Sequence, residues 1–241
     1  MRIEKAKAPS PRGERVGVRG DHRLPEDKYL TEILSSGANK LGVTLSDAQL
    51  ASFFLYLSEL KKWNRKINLT AIREDREIII KHFLDSLAFL RGFAPSPGMK
   101  LLDMGSGAGF PALPIKIAFP EIIVTMVESV KKKASFLRHI IRTLSLPGAE
   151  VLDKRTEELP DLHQSRYDIV TARAFADMEA ALITGVPFLK PGGLMVLSRG
   201  PEESIDDEVM KMAGVTLESR LNITLPYSDH KRAVWVFKKS V

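Results

Sequence analysis

A chain of 241 residues with 44% hydrophobic and 27% charged positions has an ordinary globular composition, enough for one large domain or one domain with an appendage. It contains no cysteine, which excludes a disulfide framework, thiolate zinc sites, cysteine-held iron–sulfur clusters and a cysteine nucleophile. The net charge is +6, but residues 1–25 hold seven bases against three acids and supply four of those six charges, so the remainder lies near neutrality.

Residues 1–25 carry Pro9, Pro11, Pro25, Gly13, Gly17 and Gly20 without apolar periodicity, which predicts a disordered basic tail. From Lys28 to Leu90 the pattern is helical. Ser46 with Gln49 forms a capping-box signature, and Leu50, Phe53, Phe54, Leu57 and Leu60 follow at helical spacing to about Trp63. A polar stretch, Asn64 to Asn68, leads to a second helix from about Asp75 to Leu90, with Ile79, Phe83, Leu87 and Leu90 on one face. Residues 26–95 are therefore expected as an N-terminal helical subdomain.

The texture changes at Pro95–Gly98. Strands are predicted at Lys100–Met104, Ile122–Val127, Glu150–Leu152, Tyr167–Ala172 and Leu194–Ser198. Helices are predicted after Gly109, at about Lys131–Leu146 and around Ala176–Pro187. This alternation predicts an α/β fold over 96–241: a mostly parallel sheet with helices on both faces, packed with 26–95 as one globular unit. The final runs, Val215–Ile223 and Ala233–Lys238, have no long helix between them and are expected as an antiparallel edge hairpin. No stretch approaches the roughly 20 apolar residues of a membrane span and the start lacks an apolar signal region, so a cytoplasmic protein without membrane contact is expected.

The strongest local signal is the segment from Lys100 to Phe110, in which a strand ends at Asp103 and Gly105, Gly107 and Gly109 follow at alternate positions. Glycines there let the backbone turn sharply and approach a ligand, with a helix N-terminus behind them. The chain has no P-loop Gly-Lys-Ser/Thr. The acid two residues before the first glycine sits awkwardly beside a pyrophosphate but suits S-adenosylmethionine, whose methionine end carries an ammonium. Glu128 ends the next strand, where a carboxylate accepts from ribose hydroxyls. Arg155, Thr156 and Glu157 follow the third strand, where an adenine ring would sit. Tight-turn and solvated-carboxylate readings compete for each feature alone; together they predict a nucleoside cofactor.

Several segments together resemble the bacterial glucose-inhibited division B family. They are Lys62-Trp-Asn-Arg-Lys-Ile-Asn-Leu-Thr70, His82-Phe-Leu-Asp-Ser-Leu87, Leu102-Asp-Met-Gly-Ser-Gly-Ala-Gly-Phe-Pro111, Glu128-Ser129 with Lys132-Lys133, Phe136-Leu137, Arg155 with Glu157, and Thr171-Ala-Arg-Ala-Phe-Ala176. They span roughly residues 45–205. That family comprises S-adenosylmethionine-dependent methyltransferases acting on N7 of a guanine in 16S ribosomal RNA, with S-adenosylhomocysteine as product. The resemblance implies a Rossmann-like class I methyltransferase with a seven-stranded sheet and an N-terminal helical extension. It implies cofactor contacts at Gly105, Phe110, Thr156, Glu157 and Arg173, and a 16S rRNA partner within a small-subunit particle. Three positions depart from the pattern: Ala112 replaces a glycine, Lys116 an apolar residue, and Ser198-Arg199-Gly200 stands where Lys-Gly is usual.

Guanine N7 carries a lone pair and no proton, so methyl transfer there needs positioning and no general base. Arg173, at the end of the fourth strand, is the expected positioning residue, and no metal is expected. Asp103, Gly107, Gly109 and Glu128 join the cofactor set on the reading of the loop itself. On the RNA side the candidates are Asn64, Asn68, His82, Asp85 and Arg199, with basic clusters at Lys61–Lys66 and Lys131–Arg142 that are equally readable as solvated helix faces. Trp63 is expected as a hydrophobic anchor. The competing functions are a methyltransferase of a small molecule, and a cofactor- or RNA-binding module without turnover.

Overall fold

The computed structural model describes residues 25–173 and 177–240. The expected basic tail lies outside them, apart from Pro25, which opens the first helix.

Helix α1 (Pro25–Lys40) precedes α2 (Asp47–Asn64). The capping box at α2 forms as expected: Ser46 Oγ accepts from Gln49 N at 3.3 Å and Gln49 Oε1 accepts from Ser46 N at 2.8 Å. The helix predicted from Asp75 is unbroken but not uniform. It begins as α3 (Asp75–Ile78), widens to a π-helical stretch (Ile79–Leu84), returns as α4 (Asp85–Ala88) and ends in a 3-10 turn (Phe89–Arg91). Periodicity signals a helix but does not separate the two windings, and π segments concentrate at functional sites.

The sheet comprises β1 (Lys100–Met104), β2 (Ile123–Val127), β3 (Ala149–Leu152), β4 (Tyr167–Arg173), β5 (Leu189–Arg199), β6 (Val215–Thr224) and β7 (Lys231–Lys239). Their order is β3-β2-β1-β4-β5-β7-β6. The first five strands pair in parallel, whereas β7 runs antiparallel to β5 and β6 antiparallel to β7. The expected hairpin therefore forms at the edge, with its second strand inserted against β5. Helices α5 (Ala112–Ala118), α6 (Lys131–Thr143), α7 (Met178–Gly185) and α8 (Asp207–Ala213) complete the chain.

Two expectations need correction. Strand β5 starts at Leu189, not Leu194. Tyr167 pairs with Leu189 and Ile169 with Leu194, so the Pro191-Gly192-Gly193 run is a bulge inside the strand, with Gly192 at φ +74°. Helix α8 was not predicted, although Asp206 caps it by accepting from Glu208 N and Gly214 closes it at φ +68°. Its seven residues, none fully buried, show too little periodicity to stand out.

Side-chain alternation splits the sheet into two faces. Leu101, Val124, Met126, Ile169, Val196, Val234 and Val236 join a core shared with α1, α2, the Ile79–Leu84 stretch, α5 and α6. Leu102, Met104, Val127, Val170, Ala172, Leu197 and Trp235 join a second core with α7. The N-terminal helices are thus a layer of the main core. Gln49 Nε2 donates to Ile117 O and Ala118 O at 3.0 and 2.7 Å, tying α2 to the open end of α5. Lys116, which departs from the family pattern, is buried, and its ammonium donates to Pro120 O and Ile122 O, both at 2.6 Å. Burial pushes its pKa down.

Candidate functional site

The carboxyl ends of β1, β2, β4 and β5 carry Asp103, Glu128, Arg173 and Arg199 on one rim of the sheet. The strand order reverses between β1 and β4, and the crevice at such a switch point is where open parallel sheets bind ligands.

The loop after β1 has the geometry its glycines imply. Gly105, Gly107 and Gly109 lie at φ +63°, +58° and +98°, a region L side chains rarely adopt. At Gly109 space is lacking as well: a Cβ would come within 2.4 Å of Leu113 Cδ1 and 2.9 Å of Tyr56 Oη. Glu128 holds this loop, its Oε2 accepting from Gly107 N at 2.8 Å and its Oε1 from Val130 N at 2.7 Å. A carboxylate offers about four lone pairs, so each oxygen keeps one beyond these backbone bonds. Tyr56, which sequence reasoning did not single out, donates its buried hydroxyl to Ala108 O from α2. Aromatic character at a helical core position carries no hint of that polar errand.

Asp103 is fully buried. Its Oδ1 accepts from Thr171 Oγ1 at 2.9 Å, and its Oδ2 has no partner. Burial pushes its carboxyl up to about 7. An unpartnered buried acceptor next to the glycine turn fits the ammonium of S-adenosylmethionine. Gly105, Thr156 and Glu157 line one cavity together with Val127, Ser129 and Lys154. That pocket lies between the ends of β1, β2 and β3, the place expected for the nucleoside end.

Arg173 stands in a second cavity, with His82, Asp85 and Arg199. Its guanidinium donates to Lys81 O at 3.1 Å, Asp85 Oδ2 at 3.2 Å and His82 Nδ1 at 2.7 Å. Because a guanidinium only donates, Nδ1 is the acceptor and the imidazole proton sits on Nε2, which faces Thr70 Oγ1 at 2.7 Å. Burial, with Arg173 adding to it, takes the His82 pKa down to about 3, so the ring is neutral near pH 7. Phe110 stacks on His82 at 4.5 Å and 12°, and the Arg173 guanidinium lies 5.2 Å from the Phe110 centroid. Both residues were expected as cofactor contacts. Arg173 lines this second cavity and Phe110 packs behind its His82 and Arg173; neither lines the pocket of Thr156 and Glu157.

The buried Asp85 serves two arginines: its Oδ1 accepts from Arg232 Nε at 3.1 Å. Arg232, on β7, is the other residue that sequence reading missed, because its neighbours are strand residues with no motif. Arg199 is buried, donates to Asp177 O at 3.2 Å and lies 3.8 Å from Glu203. Asn64 does not line this cavity, and its amide is already engaged. Its Oδ1 accepts from Leu69 N at 2.8 Å and Thr70 N at 3.1 Å, and its Nδ2 donates to Thr70 O at 2.8 Å. Asn68 is exposed. Trp63 packs on Phe136 at 5.6 Å and His139 at 5.1 Å, the anchoring role expected of it.

A family model described as rRNA small subunit methyltransferase G matches residues 49–231. The chain belongs to the GidB family. Its curated relatives include a ribosomal RNA small subunit methyltransferase G of Acetivibrio thermocellus, 40% identical over 216 residues covering 87% of this chain and 88% of the relative. One of the same name from Geobacter metallireducens is 40% identical over 214 residues, covering 87% and 96%. Among solved structures the [4+2]-cyclase SpnF aligns with TM-score 0.57 at 15% identity, over 83% of this chain and 98% of that one. A SAM-dependent methyltransferase from Aquifex aeolicus aligns at 0.52 and 17%, over 75% and 97%. At such identities the structures bear on the fold alone. They agree with the class I architecture of this GidB-family chain: a seven-stranded sheet with its antiparallel edge pair. No helix among the described residues is long and apolar enough to cross a membrane.

Proposed function

We propose that this GidB-family chain transfers a methyl group from S-adenosylmethionine to N7 of a guanine in 16S ribosomal RNA, in the cytoplasm and within a small-subunit particle. The observation that carries the reading is the second cavity. Its His82 and Arg173 pack on Phe110, just after the glycine loop. Its carboxylates are engaged by its own guanidiniums, Asp85 by Arg173 and Arg232 and Glu203 beside Arg199, while its one imidazole is neutral with the Nδ1 lone pair already taken. A site so arranged can hold a nucleophile that has no proton to lose.

The bound cofactor supplies a methyl group on a sulfonium, an electrophile that needs no further activation. The chain's residues bind and orient. Asp103 Oδ2 would accept a hydrogen bond from the methionine ammonium, the Gly105–Gly109 loop would admit the methionine end, and Glu128, Thr156 and Glu157 would hold the ribose and adenine. Arg173, fixed from three sides, has its place between this pocket and the acceptor base, with Phe110 and His82 as its floor. Arg199 lines the base side, Asp85 sets the two arginines, and Asn64 shapes the wall by holding residues 69 and 70. Catalysis is positioning with water excluded.

The test is transfer of labelled methyl from S-adenosylmethionine to small ribosomal subunits lacking the modification, followed by nucleoside analysis. Label in 7-methylguanosine is expected. Label in another nucleoside removes the N7 assignment, and transfer only to free metabolites replaces the RNA acceptor with a small molecule.

A further inference from the structure

Three hollows on the surface are linked by shared lining residues. Ile72 lines both the Arg173 cavity and a groove beneath the end of α2, and Asn68 lines both that groove and a hollow at the start of α6. The result is one trough leading away from the site over the loop of residues 65–74. Beyond the Arg173 cavity it is lined by Arg65 and Arg73, then by Lys66, Lys132 and Lys133. None of these five cations forms an ion pair among the described residues, whereas Lys61 beside them is paired with Asp75.

Two features separate this from an ordinary solvated face. Lys131, Lys132 and Lys133 fill the first turn of α6, which holds no acid itself. The one carboxylate at that helix end, Glu128, accepts from Val130 N and Gly107 N and pairs with none of the three lysines. Cations at a helix N-terminus oppose the dipole, by about 0.3–1 kcal/mol each, so their clustering is costly unless an anion comes to meet them. The floor is also rigid: Asn64 ties down Leu69 and Thr70, and Thr70 is bonded to His82, which is bonded to Arg173. The trough is thus mechanically continuous with the site.

We propose that this trough carries the sugar-phosphate backbone of a single-stranded RNA segment adjoining the target guanine, with phosphates met by Arg65 and Arg73 and then by Lys66, Lys132 and Lys133. The proposal rests on the rRNA reading above. It follows from charge complementarity and from continuity with the cavity that takes the base. An unstacked strand is required because a guanine within a stable stack cannot enter such a cavity.

The test measures binding of small ribosomal subunits lacking the modification across a salt series at fixed magnesium, by the full chain, by R65A/K66A/R73A and by K132A/K133A. A Lys211→Ala control on α8 lines none of the three hollows. For single strands the salt slope falls by about 0.7 per lost phosphate contact. The triple variant is therefore expected to bind at least about tenfold more weakly with a slope shallower by about 2, and the double variant with a slope shallower by about 1.4. Unchanged S-adenosylmethionine binding by calorimetry shows that the variants are folded. Wild-type affinity and slope in both variants overturn the proposal, as does weaker binding with an unchanged slope, which would mean the cations do not meet phosphate. The two readings fail separately. Normal 7-methylguanosine formation with unaltered slopes removes the trough and leaves the function. Subunit binding that follows the expected slopes, with no methyl transfer by the wild type, does the reverse.

Discussion

Arg173 is held by a main-chain carbonyl, a carboxylate and an imidazole at once, so its guanidinium has little freedom left to lose when a substrate arrives. Arg173→Ala is expected to lower methyl transfer at least about tenfold, roughly 1.4 kcal/mol of transition-state stabilisation; a wild-type rate would take Arg173 out of the site. Asp103 leads to a pH prediction. Its carboxyl is raised to about 7 by burial, so below that pH it is mostly protonated and cannot meet an ammonium. Affinity for S-adenosylmethionine is expected to rise up to about tenfold per pH unit from pH 5 to 7 and then level. Calorimetry on Asp103→Asn, which has no carboxyl to titrate, is expected to show a flat profile over that range. A parallel rise in the variant would assign the dependence elsewhere.

At the scale of elements, the decisive unit is the short loop between α2 and α3. It contains no regular structure, yet three hydrogen bonds from one amide side chain shape it, and Thr70 connects it to the π-helical stretch bearing His82. The winding there places His82 and Asp85 toward the same guanidinium. Asn64→Ala removes all three bonds. About 1–3 kcal/mol of local stability is expected to go with them, visible as faster hydrogen exchange at the Leu69 and Thr70 amides. Methyl transfer to RNA should fall while cofactor affinity stays, because the glycine loop is held separately by Glu128 and Tyr56. Equal loss of both would mean that the loop supports the cofactor pocket as well.

For the whole molecule, the main core runs without interruption from Leu30 and Phe53 through Phe83 to Ile115, Phe136 and Val236. A fragment of residues 96–241 would expose the face of α5 and the sheet that those N-terminal side chains cover. It is expected to lack native hydrogen-exchange protection, while the full chain unfolds in one transition; a stable, cofactor-binding fragment would show that the helical layer is dispensable. Two buried groups also set opposing pH slopes. His82 falls from 6.5 to about 3, so it favours the folded state above pH 6.5 and loses that contribution as pH drops toward 3. Asp103 rises from 3.8 to about 7, so its contribution is present at low pH and lost as pH climbs to 7. Each slope is about 1.4 kcal/mol per pH unit, and between pH 4 and 6.5 they offset. In Asp103→Asn the His82 slope is uncovered, so urea denaturation should show stability falling more steeply with acid than in the wild type.

Period-two and period-three-to-four patterns were enough to read the alternating elements, the capped α2, the edge hairpin and the glycine turn, because each depends on contacts among near neighbours. Gly105, Gly107 and Gly109 could be recognised because their backbone conformations exclude other residues wherever the loop lies. Asn64 could not be assigned this way: an amide beside basic residues reads equally as an RNA contact or as a clasp, and only the folded loop shows its oxygen already occupied. The same holds for Tyr56, which looks like core until its hydroxyl reaches a loop 52 residues away, and for Arg232, 147 residues from the carboxylate it shares with Arg173. Local sequence determined which segments coil, extend or turn. Partnership between distant polar groups depended on how the layers stack, since a buried donor takes whichever acceptor packing brings within reach.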